Sequence, residues 1–347
     1  MKIINIVLGD ATGGRWKVVL DYTRVLRELG HEVTLVAHQK QRPQIQASGR
    51  DLGEVVYLRN SGHYDPIATV QAWRLLRRKR ADIVIAHCSR SIALMKRAAG
   101  KHTPVVCVMH ALNPKRCTQA DAFINITHCI EDRLRQSGAA HKPHLHVPNM
   151  LTDMNPVLPP PAPRRSPIHI GAIGRFVRYK GFDLFMDALG VLKQRGVPFT
   201  ATLAGSGEDL PLIKEKLATQ GLQDRVTLPG WLPNSQALFD HIDLLCVPSR
   251  HEPFGLILLE AFNAGIPMVV AKAEGPLEIC TDGVDALMAE VDSAESLASK
   301  LIHLIESPEL AAQLRQAGYE TLRGRYSEQV VKTQLNEALL AIKAALG

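Results

Sequence analysis

Two glutamates, Glu252 and Glu260, bracket the stretch SRHEPFGLILLEAF at 249–262. Glutamate is rarely buried without a partner. Glu260 lies between Leu258-Leu259 and Ala261-Phe262, so the sequence predicts it buried or nearly so. Pro253 disfavours helix at Glu252, and Gly255 permits a tight turn. The apolar run that follows reads as a helix over 255–264, stopped by Gly265 with Pro267 soon after. Glu252 then falls in the loop before the helix and Glu260 about two turns inside it. Backbone N–H groups at Phe254, Gly255, Leu256 and Ile257 would form an anion seat at the positive end of the helix dipole. Carboxylates accept hydrogen bonds from hydroxyl pairs. The chemistry suggested is recognition of a phosphate-linked ligand with a polyol on either side. The competing reading pairs Glu260 with a core arginine and leaves Glu252 solvated.

A second group follows the run at 168–173: Gly174-Arg-Phe-Val-Arg-Tyr-Lys-Gly181. Arg175 offers a bidentate phosphate contact and Lys180 a point charge. Gly205, in Ala-Gly-Ser-Gly-Glu at 204–208, is weaker, because a short G-x-G also serves as a plain turn. Trp231, after Gly230, suits a flat base or the edge of a sheet. In the first half, Gly13-Gly14 ends the first strand without completing G-x-G-x-x-G, and no acidic residue ends the second strand. That argues against a dinucleotide site. His110 closes the run at 105–109. A lone histidine is more often structural, but a strand end is where open α/β sheets place ligand contacts. The six cysteines form no C-x-x-C pair and read as free thiols of a reducing compartment, so no metal site is expected.

These residues need strands to end at them and helices to start from them. Short apolar runs at 3–8, 31–37, 55–58, 83–86, 105–109, 122–126 and 144–147 read as strands, with helices at 18–29, 66–80, 89–99 and 131–137. Such alternation implies a parallel sheet covered on both faces. Five prolines within 157–167 interrupt it as an extended linker. Alternation then resumes from 168 to 280. Helical patterns at 309–325 and 327–346 close the chain. The expected organisation is a domain at 1–155, a linker at 156–167, a second domain at 168–326 and a final helix at 327–347. The fold class is α/β, with two doubly wound Rossmann-like domains.

The formal charge of +7 is unevenly spread. Residues 1–150 hold 23 Lys+Arg against 11 Asp+Glu, net +12, and the rest 18 against 23, net −5. The first half therefore suits an anionic membrane surface or a phosphorylated acceptor, and the cluster at 77–80 suits either that or a solvated helix end. Aromatics at 5% without a stacking motif argue against a nucleic-acid binder. No apolar run approaches the ~20 residues of a membrane span. The N-terminus lacks a cleavage site, which argues against a signal peptide. The expected location is cytoplasmic, peripheral on the inner face of the plasma membrane.

Arg175…Lys180-Gly181, Ala204-Gly-Ser-Gly207, Pro229-Gly-Trp231, Pro248-Ser-Arg250 and above all Glu252-Pro-Phe-Gly-Leu-Ile-Leu-Leu-Glu260-Ala resemble the retaining nucleotide-sugar glycosyltransferases of family 4. The resemblance covers nearly the whole chain and is strongest from 170 to 292. It implies the GT-B fold, two facing Rossmann-like domains with a C-terminal helix crossing back to the first. Glu260 would hold the ribose hydroxyls and Glu252 the donor sugar. Arg175 and Lys180, with Gly174, Gly205 and the N–H groups of Gly255, Leu256 and Ile257, would surround the diphosphate. Trp231 and Leu232 would face the base, Gly14 the donor phosphate, and His110 the reacting carbon. The implied reaction moves a sugar, with UDP-hexose the expected donor, to a hydroxyl of a cell-surface glycan or glycolipid such as a lipopolysaccharide or exopolysaccharide precursor. It implies retention of configuration, closure about the proline hinge, and neither metal nor cofactor beyond the nucleotide-sugar co-substrate. The alternative is a UDP-sugar epimerase of the same fold, which needs more carboxylates from the first domain than that half offers. Two departures stand out: Thr127-His128 where the family usually has serine, and Met150-Leu151 where it usually continues with glycine.

Overall fold

A computed structural model of the chain describes residues 1–9, 13–161 and 163–346. They form two compact units, 1–152 with 328–347, and 153–327. Of the expected segments, residues 10–12 of the first domain, residue 162 of the linker and residue 347 of the last helix lie outside the described residues.

The first unit holds the parallel strands β1 (Lys2–Val7), β2 (Glu32–His38), β3 (Glu54–Leu58), β4 (Ile83–Ala86), β5 (Val105–Met109), β6 (Ala122–Asn125) and β7 (His144–His146), ordered β3-β2-β1-β4-β5-β6-β7 among the described residues. β4, β5 and β6 are buried throughout, because helices cover both faces and leave no polar side. The helix Glu328–Leu346 belongs to this unit. It buries Val331, Leu335, Ala338, Leu339 and Ile342 along one face. Arg24 binds Glu328 at 2.9 and 2.5 Å, and Lys332 binds Glu28 at 2.7 Å. A fully buried Leu, Ile or Val contributes ~1.5–3 kcal/mol and an exposed ion pair ~0–1, so the apolar face holds the helix and the charges set its register.

The second unit holds β8 (Ile168–Arg175), β9 (Phe199–Ser206), β10 (Val226–Thr227), β11 (Leu244–Val247), β12 (Met268–Ala271) and β13 (Leu287–Ala289), all parallel and ordered β10-β9-β8-β11-β12-β13 among the described residues. The strand β13 and the helix Ala294–Glu306 go beyond the sequence reading, as does the helix Arg42–Ala47 in the first unit. Among the described residues the proline stretch forms neither helix nor strand before β8, and it is fastened to the second unit. Asn155 exchanges two hydrogen bonds with Asn263 at 2.7 and 2.9 Å, the Tyr319 hydroxyl donates to its carbonyl at 2.7 Å, and Arg165 pairs with Asp243 at 3.3 Å. Prolines offer no backbone N–H, so the attachments come from the residues between and beside them, such as the backbone N–H groups of Asn155 and Arg165.

Candidate functional site

The second sheet begins in its middle. From β8 the chain adds β9 and β10 on one side, then crosses to add β11, β12 and β13 on the other. The strand order therefore reverses between β8 and β11, and open parallel sheets bind ligands in the crevice beyond such a point. The loops leaving these two strands carry Arg175 to Gly181 and Pro248 to Gly255.

The β8 strand ends at Gly174-Arg175, paired with Gly205-Ser206 of β9. Arg175 is exposed. A short turn, Arg178–Lys180, then leads to Gly181 in the left-handed region at φ 68°. A Cβ on Gly181 would lie 2.0 Å from the carbonyl oxygen of Pro248, so the two loops meet backbone to backbone and only glycine is accommodated. This close approach sets Lys180 Nζ 2.5 Å from Glu252 Oε2, with the side chains 24% and 9% exposed. The residue assigned to the diphosphate and the residue assigned to the sugar are thus one charge pair.

The loop after β12 braces this carboxylate. The Glu252 N–H donates to Glu274 at 3.2 Å, and the Glu252 carbonyl accepts from the Gly275 N–H at 2.8 Å. A Cβ on Gly275 would meet the Phe254 carbonyl oxygen at 2.1 Å. Gly255 adopts φ 102° and starts the helix Leu256–Ala264, whose first N–H groups have no intrahelical acceptor. Glu252 in the loop is buried, against the competing reading that left it solvated, and Glu260 in the helix is half-buried, more open than its apolar sequence neighbours suggest. The helix buries Leu258, Leu259, Ala261 and Phe262, whereas Glu260 shares its face with the half-buried Leu256, Ile257, Asn263 and Ala264. Apolar neighbours in sequence are not neighbours on a helix face.

Gly205 closes the other flank. Its N–H donates to the Gly230 carbonyl at 2.7 Å, and a Cβ there would lie 1.8 Å from the Gly174 carbonyl oxygen. The ends of β8 and β9 and the segment before Trp231 are thereby tied together. Trp231 is 61% exposed, so it does not pack on the sheet edge, and Leu232 is half-buried.

Sequence reasoning missed Arg250 as a functional residue. Its guanidinium grips Asp183 through both nitrogens at 2.6 and 2.8 Å, binds Asp292, and donates to the Arg178 carbonyl at 2.9 Å. Its backbone N–H donates to the Tyr179 carbonyl at 2.8 Å. Arg250 therefore fastens the turn that carries Lys180. The available signal was an arginine two residues before Glu252. Its partner lies 67 positions away and follows no local pattern.

Gly14 and His110 lie in the first unit. Gly14 is exposed at the start of the helix Gly14–Glu28. His110 follows β5 and heads a buried chain: His110 Nε2 to His87 Nδ1 at 2.9 Å, then His87 Nε2 to Asn5 Oδ1 at 2.7 Å. Asn5 Nδ2 already donates to the Val19 carbonyl and to Thr23, so Oδ1 must accept. His87 then carries its proton on Nε2, and His110 donates to it from Nε2. That leaves the His110 Nδ1 lone pair pointing away from the chain. Burial, assisted by the nearby positive charge of Arg15, pushes His110 down to about 3, and burial lowers His87 well below its ordinary value. Both rings stay neutral in the fold, so stability should be full above about 6.5 and decline as pH falls from there toward 3. Imidazole ¹⁵N spectra should show His110 neutral with Nε2–H throughout pH 5–7. A His110 that titrates near 6.5, or carries its proton on Nδ1, would refute the assignment.

The fold is of the GT-B class: two parallel-sheet Rossmann-like units with a C-terminal helix. The chain carries two glycosyltransferase domains. Residues 12–151 match the model described as Glycosyltransferase Family 4, and residues 160–321 match Glycosyl transferases group 1. The chain is 26% identical to the lipopolysaccharide core biosynthesis glycosyltransferase LpsE of Rhizobium meliloti, across 99% of this chain and 100% of that one. It is 33% identical to LpsD of the same organism across 46% and 45%. Among solved structures, Anabaena HepE in complex with UDP superposes with a TM-score of 0.82 at 18% identity, across 98% of this chain and 100% of that one. The epimerase alternative finds no support in these relatives.

Proposed function

We propose that this chain is a retaining, metal-independent glycosyltransferase that moves a sugar from a nucleoside-diphosphate donor, a UDP-hexose, to a hydroxyl of a membrane-borne glycan or glycolipid precursor. The observation that carries this reading is the Lys180–Glu252 pair beside the start of the helix Leu256–Ala264, at the point where the strand order of the second sheet reverses. It combines a cation and free N–H groups for a diphosphate with a carboxylate for hydroxyls. Arg175, exposed at the end of β8, supplies the second positive charge. Glu260, eight residues after Glu252, reads the ribose. Departure of the nucleoside diphosphate is the charge-separating event. Arg175, Lys180 and the helix dipole stabilise the leaving oxygens as they develop charge. With no carboxylate assigned as a nucleophile, retention follows from attack by the acceptor hydroxyl on the face that the diphosphate leaves. The lipopolysaccharide relatives support a surface-glycan acceptor, and the UDP complex of HepE supports the choice of base.

A thermal-shift panel of UDP-, GDP- and ADP-sugars tests the donor reading. A ligand at 100 times its dissociation constant stabilises the fold by ~2.7 kcal/mol. A UDP-hexose should stabilise the wild type measurably, and Glu260→Ala should abolish most of that shift at the same concentration. Equal shifts in wild type and Glu260→Ala would remove Glu260 from the donor site. No shift with any nucleotide sugar would remove the function.

A further inference from the structure

The helix Pro66–Lys79 of the first unit has a committed inner face and an unpartnered outer one. Ala68, Ala72, Leu75 and Leu76 are buried within the unit. On the outside, Ile67 is 71% exposed, Val70 47% and Trp73 44%, and Tyr64 just before the helix is 85% exposed. Other exposed large apolar residues, such as Val157, Trp231 and Leu340, are scattered singly. Single exposures need no explanation, whereas a contiguous set marks an interaction surface.

Cations interleave with these apolar groups. Arg74 stands one heptad after Ile67 and Arg77 one heptad after Val70, so each arginine shares a stripe with an apolar residue. The Arg77 guanidinium lies 5.0 Å over the Trp73 ring, and Arg97 lies 5.3 Å over the Tyr64 ring. Arg78 and Arg80 extend the positive edge, while Lys79 is engaged by Glu54. No acidic residue occurs from Pro66 to Arg80, and Asp65 is committed to capping the helix at the Ala68 N–H. Cations in a last turn complement the helix dipole, which accounts for Arg77 and Arg78. It accounts neither for Arg74 nor for Ile67, Val70 and Trp73 being left in water.

We propose that this face, Tyr64, Ile67, Val70 and Trp73 with Arg74 and Arg77, seats the protein on an anionic lipid surface. Apolar side chains enter the headgroup boundary, aromatic rings sit at headgroup level, and arginines meet lipid phosphates. Charge complementarity selects this occupant. A second copy of the chain would bring the same arginines face to face, and like charges oppose that contact. The proposal rests on the reading of the acceptor as membrane-borne, and it gives the enzyme a means of meeting that acceptor from the water side. Among the described residues no helix is long and apolar enough to cross a membrane, so a surface contact is the mode this patch offers.

The test is sedimentation of the full chain with phosphatidylcholine vesicles, with and without about a third phosphatidylserine, each basic residue at such a surface contributing about five-fold in binding. The wild type should bind the anionic vesicles, progressively less as salt rises, and bind the neutral ones far less. Trp73 emission should shift to the blue on binding. Arg74→Gln/Arg77→Gln should weaken binding roughly twenty-five-fold. Lys214→Gln/Lys343→Gln, which removes the same charge from exposed positions elsewhere, should leave it unchanged. Ile67→Ser/Trp73→Ser should remove the binding that survives at high salt. Equal loss in the two charge variants, equal binding to neutral vesicles, or no binding would overturn the proposal. So would a dimer in sedimentation velocity that Trp73→Ser dissolves. The nucleotide-sugar thermal shift, measured on the same variants, separates failure of this surface from failure of the enzymatic reading, because none of these substitutions lies in the second-sheet loops.

Discussion

Lys180→Ala should cut turnover by roughly 10²–10³, the range found when one preorganised donor to a developing negative charge is lost. It should also destabilise the fold, because Glu252 remains buried after its partner is gone. Leaving a buried polar partner unsatisfied costs ~1–3 kcal/mol, with charged groups at the upper end. Stability and activity can be separated by a second change. In Lys180→Ala/Glu252→Gln the stranded carboxylate becomes a neutral amide, so much of the stability should return while turnover stays low. The measurements are urea unfolding and steady-state turnover with the donor that the thermal-shift panel selects. Lys180→Ala at wild-type turnover would end the assignment of this cation to the diphosphate. A double variant no more stable than the single one would show that the pair at 2.5 Å does not neutralise Glu252.

Much of this arrangement is legible in the chain, for physical reasons that vary by element. Buried parallel strands need apolar runs of a few residues, so β4 and β5 can be placed to the residue. Glycines at 181 and 255 announce turns because other residues avoid positive φ. Chemistry-bearing residues at strand ends are legible because topology sends strand ends to the ligand side. Four features stay hidden. The burial of Glu260 was misjudged because its neighbours in sequence point into the core while its own face, with Ile257 and Asn263, is half open. β13 is three residues long and buried at a sheet edge, too short to show a period. The Lys180–Glu252 and Arg250–Asp183 pairs join loops that only the folded sheet brings together. Local sequence fixes a turn, but the partner of a charge is a property of the tertiary fold. The Asn5–His87–His110 chain is hidden for the same reason: one polar residue within β1 and two just past β4 and β5 have no common spacing.

Arg250→Ala should produce the largest loss of stability at the site, ~3–5 kcal/mol, the cost of removing one member of a buried ion pair. The Arg250 and Asp183 side chains are 10% and 7% exposed. Burial by itself would push the Asp183 carboxyl up, but the Arg250 guanidinium, Arg178 and a backbone N–H together outweigh burial and hold it below the usual carboxylate range. A depressed carboxyl adds stability above its unfolded value near 3.9, and that stability is lost as pH falls toward the folded value. Without Arg250 the burial effect faces Arg178, whose side chain is 68% exposed, and a backbone N–H, and Asp183 moves upward. The gap between wild type and variant should therefore be widest at neutral pH and narrow as pH falls through about 4. Arg250→Lys should rescue little, because an ammonium cannot grip both Asp183 oxygens and Asp292 at once. Arg250→Ala/Asp183→Asn should recover part of the loss by removing the stranded charge. Urea unfolding of the four proteins at pH 7 and pH 4 decides the matter, and a gap that does not change with pH would refute the ion-pair account. Activity adds a second discriminator. The Arg250 guanidinium also holds the Arg178 carbonyl, two residues before Lys180, so the donor KM should rise in Arg250→Ala even where the protein is fully folded. A folded variant with unchanged KM would confine the Arg250 side chain to stability and leave the Lys180 turn to be held by its backbone contacts, among them the N–H groups of residues 250 and 251 on the Tyr179 carbonyl.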